Sequence, residues 1–154
     1  MACVVGIQGE DIVYIGSDGV VFKGGQYDEF MVGASEEAAE ALKKCLAATR
    51  YRNCNVCEYM KTSFLEMVKQ YLSPEIASSF LVSHETELFE FLWDAGDFRV
   101  MEKSVSAVGN GGVYALGALY ALEGDPGWRV LRALETVSAI SLAEEGAFMI
   151  GRYY

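Results

Sequence analysis

The hydrophobic pattern changes period four times along this chain. Residues 3–7, Cys-Val-Val-Gly-Ile, are apolar throughout, as in a strand covered on both faces. The turn cluster 8–11 and the apolar run Ile12–Ile15 then predict a hairpin. Ser17-Asp18-Gly19 breaks the pattern, and short strands are expected over 20–22 and 29–33. At Ser35 the period becomes helical. Ser35 is a favourable N-cap, with Glu36 and Glu37 where the helix dipole favours negative charge. Ala38, Leu42, Cys45, Leu46 and Thr49 form the apolar face of this helix. After a connector over 51–57, the stripe Met60, Phe64, Met67, Val68, Tyr71 predicts a second helix, ended by Ser73-Pro74.

Strands return at 80–83, 88–93, 98–100 and 106–108, with His84 to Glu87 as a solvated hairpin turn. Gly109 to Gly112 opens a third helix with Val113, Leu116, Leu119 and Tyr120 as its apolar positions. A fourth helix is expected from Trp128 to Glu144, with Leu131, Leu134, Val137 and Ile140 inward, then a strand over 147–150. Trp93 and Trp128 read as core residues, and Arg152-Tyr153-Tyr154 as an aromatic tail that either packs on a neighbour or frays. Two blocks of antiparallel strands and two helix pairs predict an α+β fold. Its architecture is a four-layer αββα sandwich, two antiparallel sheets between two helix pairs, in a single domain over 1–154.

The chain has 154 residues, 52% of them hydrophobic, which excludes a disordered protein. Twelve basic against 22 acidic residues give a net charge of −10, the wrong sign for nucleic acid or an anionic membrane as partner. The long uncharged run Ser104–Leu122 contains five Gly or Asn residues and reads as strand, loop and helix, not as a membrane span. The start of the sequence lacks the basic leading region of a signal peptide. A cytoplasmic protein with reduced cysteines is the resulting expectation.

The order of elements, together with Ala2-Cys3-Val4-Val5-Gly6, Tyr14-Ile15-Gly16-Ser17-Asp18, Phe80-Leu81-Val82, Asp97-Phe98-Arg99-Val100 and Ala107-Val108-Gly109-Asn110-Gly111, resembles the proteasome β-subunit and HslV. These are N-terminal-nucleophile (Ntn) hydrolases, and small bacterial and phage proteasome-like proteins are the nearer likeness. The resemblance implies a threonine nucleophile at position 2, activated by its own α-amine, with a lysine paired to Asp18 and a serine in the later glycine loop. Here the nucleophile position is Ala2, Val20 stands where the lysine is expected, and Asn110 replaces the loop serine. Lys23 comes three residues after Val20, which on a strand is the opposite face. The segment between Asp18 and Val21 is short, so the substrate-wall hairpin is missing. The turn containing Gly33 remains to present an N–H to an oxyanion. The implied function is a proteasome-like protein that has lost peptidase chemistry and acts as a self-assembling or protein-binding module, with a ring as the family's habit. The alternative is a threonine-type peptidase with its nucleophile replaced by Ala2. Cys3 as a substitute nucleophile is disfavoured, because a one-residue shift turns the side chain to the other face.

Cys54 and Cys57 form a lone Cys-x-x-Cys, short of the four ligands that zinc takes. They read as reduced thiols in a connector, the alternative being a redox or metal role. Gly109 to Gly112 lacks the ending of a phosphate-binding loop and reads as a structural turn. No cofactor or metal is expected.

Overall fold

Alternate residues of strand β1 (Cys3–Gln8) face two different cores. Cys3, Val5 and Ile7 pack on helices, while Val4 packs against a second sheet. The computed structural model describes residues 2–52, 54–140 and 149–153. One sheet has the order β8-β1-β2-β9, with β2 at Val13–Ser17, β8 at Val105–Gly109 and β9 at Met149–Tyr153. The other has the order β3-β4-β5-β6-β7. Its strands are β3 (Val20–Gly24), β4 (Phe30–Ala34), β5 (Phe80–His84), β6 (Glu87–Asp94) and β7 (Asp97–Glu102). The assigned strand pairs are antiparallel. Between the sheets lie Val4, Val13, Ile15 and Val108 from one side and Met31, Leu81 and Leu88 from the other.

Helix α1 (Glu36–Ala47) starts where the sequence places it: Ser35 Oγ accepts the Ala38 N–H at 3.3 Å. All five residues of its expected face are buried. With α2 (Val56–Tyr59) and α3 (Leu65–Tyr71) it covers the five-stranded sheet over Phe30, Phe64, Phe80, Phe89 and Phe91. Each of these rings is fully buried, a contribution of roughly 1.5–3 kcal/mol apiece. Helices α4 (Gly112–Ala121) and α5 (Pro126–Ile140) cover the four-stranded sheet. The αββα sandwich expected from the element order is therefore the observed architecture.

Several details differ from expectation. The second helical segment contains a π-helical turn at Met60–Phe64, joining α2 to α3. Its buried stripe is Met60, Phe64, Val68 and Leu72, while Tyr71 is exposed. A strict four-residue spacing drifts by about 40° per step around an α-helix. One wider turn takes up part of that drift. On α4 the buried positions are Gly112, Ala115 and Leu119, whereas Val113 is 85% and Tyr120 71% exposed. Small residues face the sheet because the helix runs close to it: a side chain at Gly112 would stand 3.0 Å from Ala107 O. On α5 the inward set is Val130, Ala133, Leu134 and Val137, and Trp128 and Ile140 are about half exposed. The expected end of this helix, 141–144, lies outside the described residues, as do 147 and 148 of the expected last strand. Arg152 and Tyr153 are not a frayed tail: they pair with Tyr14 and Val13 in β9.

Candidate functional site

The head of β1 is held by three hydrogen bonds, one to Asn110 and two to Asp18. Ala2 O accepts the Asn110 N–H at 3.3 Å. The Cys3 N–H donates to Asp18 Oδ1 at 2.8 Å, and the Asp18 N–H donates to Cys3 O at 3.2 Å. Asp18 and Gly19 form the whole passage from β2 in one sheet to β3 in the other. Ser17 ties this passage to β4, since its Oγ accepts the Gly19 N–H at 2.8 Å and donates to Ala34 O at 3.4 Å. A side chain at Gly19 would stand 3.0 Å from Ala2 Cβ and 3.1 Å from Ser35 Cα. Gly109, at φ +84°, lies directly against Ala2 O, where any Cβ would collide.

The structure thus brings Ala2, Asp18 and Asn110 together. Asp18 is not without a role, as its bond to Cys3 shows. Val20 sits in register with Ala34 on the edge strand β3, beside this cluster. Gly33 is not in a turn. It lies within β4, paired to Val21 and Leu81, with its Cα against Ile15 and Val4 between the sheets. The chain beside Ala2 is instead Ala34-Ser35, and Ser35 Oγ is engaged with Ala38 N and, at 3.0 Å, Ser78 Oγ. Sequence reasoning missed Ser17, Gly19 and Ala34 as parts of the cluster. The signal for them was the Ser-Asp-Gly break between two apolar runs.

Chemically the centre of the cluster is a methyl group. Cys3 does not replace it, because its thiol faces the α4–α5 layer with no exposed surface. Burial, and secondarily Asp18, pushes that thiol up to about 12, so the thiolate is suppressed at neutral pH.

No family model matches the sequence, and no curated protein matches it either. Solved structures do. The BPH of Thiobacillus denitrificans in complex with epoxomicin superposes with a TM-score of 0.71 at 15% identity, covering 98% of this chain and 97% of that one. A second BPH structure gives 0.67 at 14% identity over the same shares. Eukaryotic HslV from Trypanosoma brucei gives 0.64 at 15% identity, over 97% of this chain and 98% of its own. The fold is the proteasome-like Ntn-hydrolase fold.

The remaining candidates lie elsewhere on this scaffold. Gly111, in the left-handed conformation, caps α4, and its carbonyl accepts the Ala115 N–H, so the glycine loop is a helix start. Cys54 is exposed and Cys57 half-buried, both as free thiols. Among the described residues, no three His, Cys, Asp or Glu side chains are grouped to hold a metal ion. His84 corrects the expectation of a solvated turn. It ends β5, is 8% exposed, and its ring lies 5.2 Å from Phe30 and 5.0 Å from Tyr51. Its Nδ1 is buried without a hydrogen-bond partner. Burial lowers its pKa, against the opposing pull of Glu85 and Glu29. Among the described residues, no helix is long and apolar enough to cross a membrane.

Proposed function

We propose that residues 1–154 form a proteasome-like module without peptidase chemistry, which works by assembling with copies of itself or by binding another protein. One observation carries this reading: hydrogen bonds from Asp18 and Asn110 hold the chain at residue 2, while the groups that would react there are absent from Ala2, Val20 and Asn110. Asp18, Asn110 and the Ala34-Ser35 chain enclose Ala2, whose methyl group has no lone pair to attack a carbonyl. Residues of such a site act as a unit, so loss of the nucleophile removes most of the rate. Exposed Val113, Tyr114 and Tyr120 on α4 and Trp128 and Ile140 on α5 favour self-association through that helix layer. The net charge of −10 argues against nucleic acid and anionic membranes as partners, and a cytoplasmic setting belongs to the same proposal.

The test is Ala2→Thr in a protein freed of Met1, assayed with fluorogenic peptides and with epoxomicin, the compound seen bound to BPH. The expected result is no turnover and no labelling. Strong turnover with stoichiometric labelling at position 2 would instead establish the alternative, a threonine-type peptidase whose nucleophile is replaced by Ala2. Sedimentation at micromolar concentration checks assembly, and a lone 16.9 kDa species would count against it.

A further inference from the structure

Tyr51, Arg52 and the segment 54–57 line, with the tight β5–β6 turn, a cleft on the five-stranded sheet, far in sequence from Ala2. The cleft has two adjoining lobes that share Tyr51, His84 and Glu85. The first, about 500 Å³, adds Glu87, Glu102, Cys54 and Cys57. The second, about 590 Å³, adds Glu29, Gln26, Tyr27 and Arg52. The first lobe has no lysine or arginine among its described lining residues. Carboxylates therefore stand on both sides of one aromatic pair, Tyr51 and His84, whose rings are 5.0 Å apart.

His84 supplies an independent observation that points to a ligand. It is more than nine-tenths buried, yet lines both lobes, and its Nδ1 lacks a partner. A buried polar atom without a hydrogen bond costs free energy that a donor from a ligand relieves. Glu87 points the same way. Its pKa is raised by burial and then by Glu102, so the two carboxylates stand close together. The donors do not converge on one point, since no three of the described ones are grouped for a metal ion. Separated negative charges flanking a ring suit a ligand whose positive charges are also separated, with methylene groups between them to lie on the ring.

We infer that this cleft binds a linear polyamine, one ammonium group beside Glu87 and Glu102, another beside Glu29, an N–H between them donating to His84 Nδ1, and the carbon chain along Tyr51. Calorimetric titration of the full chain with spermidine, at fixed ionic strength of about 0.1 M to screen distant surface charge, tests it. Saturable 1:1 binding is expected. The single histidine gives a direct readout in the wild type, because its ring resonances should shift on titration. Glu87→Gln with Glu102→Gln should weaken binding by roughly tenfold or more, whereas Glu123→Gln, after α4, should leave it unchanged. Removing like charges relieves repulsion, and a thermal melt verifies the fold of each variant. The inference is overturned by equal weakening in Glu123→Gln, by Mg²⁺ binding as tightly as spermidine, or by a monoamine doing so. Zn²⁺ binding that outcompetes spermidine and is lost in Cys57→Ser would also overturn it, in favour of a metal site.

Discussion

Asp18 and Cys3 exchange two hydrogen bonds, the Asp18 carboxylate accepting from Cys3 N–H at 2.8 Å and the Cys3 carbonyl accepting from Asp18 N–H at 3.2 Å. The pair clamps the head of β1 to the end of β2. Asp18→Ala should destabilise the fold by about 1 kcal/mol, because Asp18 is exposed and water competes for the freed N–H. Asp18→Asn, which retains an acceptor, should cost less. Urea unfolding of the two variants checks the order.

Gly33 and Gly6 both lie where the sheets meet, but their neighbours differ. A methyl group on Gly33 would stand 2.5 Å from Ile15 Cγ2 and 2.7 Å from Val4 Cγ1. Both neighbours are β-branched and stiff. On Gly6 it would meet Leu81 Cδ1 at 2.9 Å and the Leu88 methyls at 3.0 and 3.1 Å, the free ends of longer side chains. Gly33→Ala should therefore cost about 1–3 kcal/mol, and Gly6→Ala less. Denaturant midpoints of both variants read out the difference.

The four thiols should divide two and two. Cys3 and Cys45 are fully buried, and burial pushes each up to about 12. Cys54 and Cys57 have access to solvent. A colorimetric thiol reagent under native conditions should therefore titrate two groups quickly and two only on unfolding. Rapid reaction of Cys3 would disprove its placement in the α4–α5 layer.

Acidification should act on His84 first. Its folded pKa lies below its ordinary value of 6.5, through burial opposed by Glu85 and Glu29. The associated stability is present above pH 6.5 and is lost as pH falls through the depressed value. Glu87 has the opposite sign. Its folded pKa is raised above 4.5 by burial and Glu102, so its stabilisation is present below 4.5 and lost as pH rises through the raised value. Urea midpoints should fall in the wild type as pH drops below 6.5. His84→Gln should show a shallower fall, and in Glu87→Gln, where the opposing contribution is gone, the fall should be steeper.

The layers were legible because period distinguishes strands from helices, and because Ser35 and the glycine turns mark their boundaries. His84 was misplaced although alternation from Phe80 through Val82 puts it on the inward face. The turn-like residues after it masked that signal. On α4 the apolar residues nearly encircle the helix, so amphipathicity gave no single direction, and close approach at Gly112 decided the inward face. At the candidate site, the sequence revealed the altered residues but not the chain beside Ala2. Which of Gly33, Ala34 and Ser35 lies there depends on where β4 stops, a boundary that only the pairing with β3 and β5 fixes.

The two sheets draw on the chain in different ways. The five-stranded sheet takes its strands in sequence order from one unbroken stretch, β3 to β7, with α1 to α3 inserted between β4 and β5. The four-stranded sheet joins the first two strands to the eighth and ninth. Its closure brings together Val13 and Tyr153, which are almost the full chain apart. Loop-closure entropy delays such pairing relative to local contacts. During synthesis, residues 20–102 can assemble while the β1–β2 hairpin waits for its outer partners β8 and β9. Pulsed hydrogen exchange during refolding should accordingly protect β4, β5 and β6 before β8 and β9. The bond from Asn110 N–H to Ala2 O would then be among the last features to form.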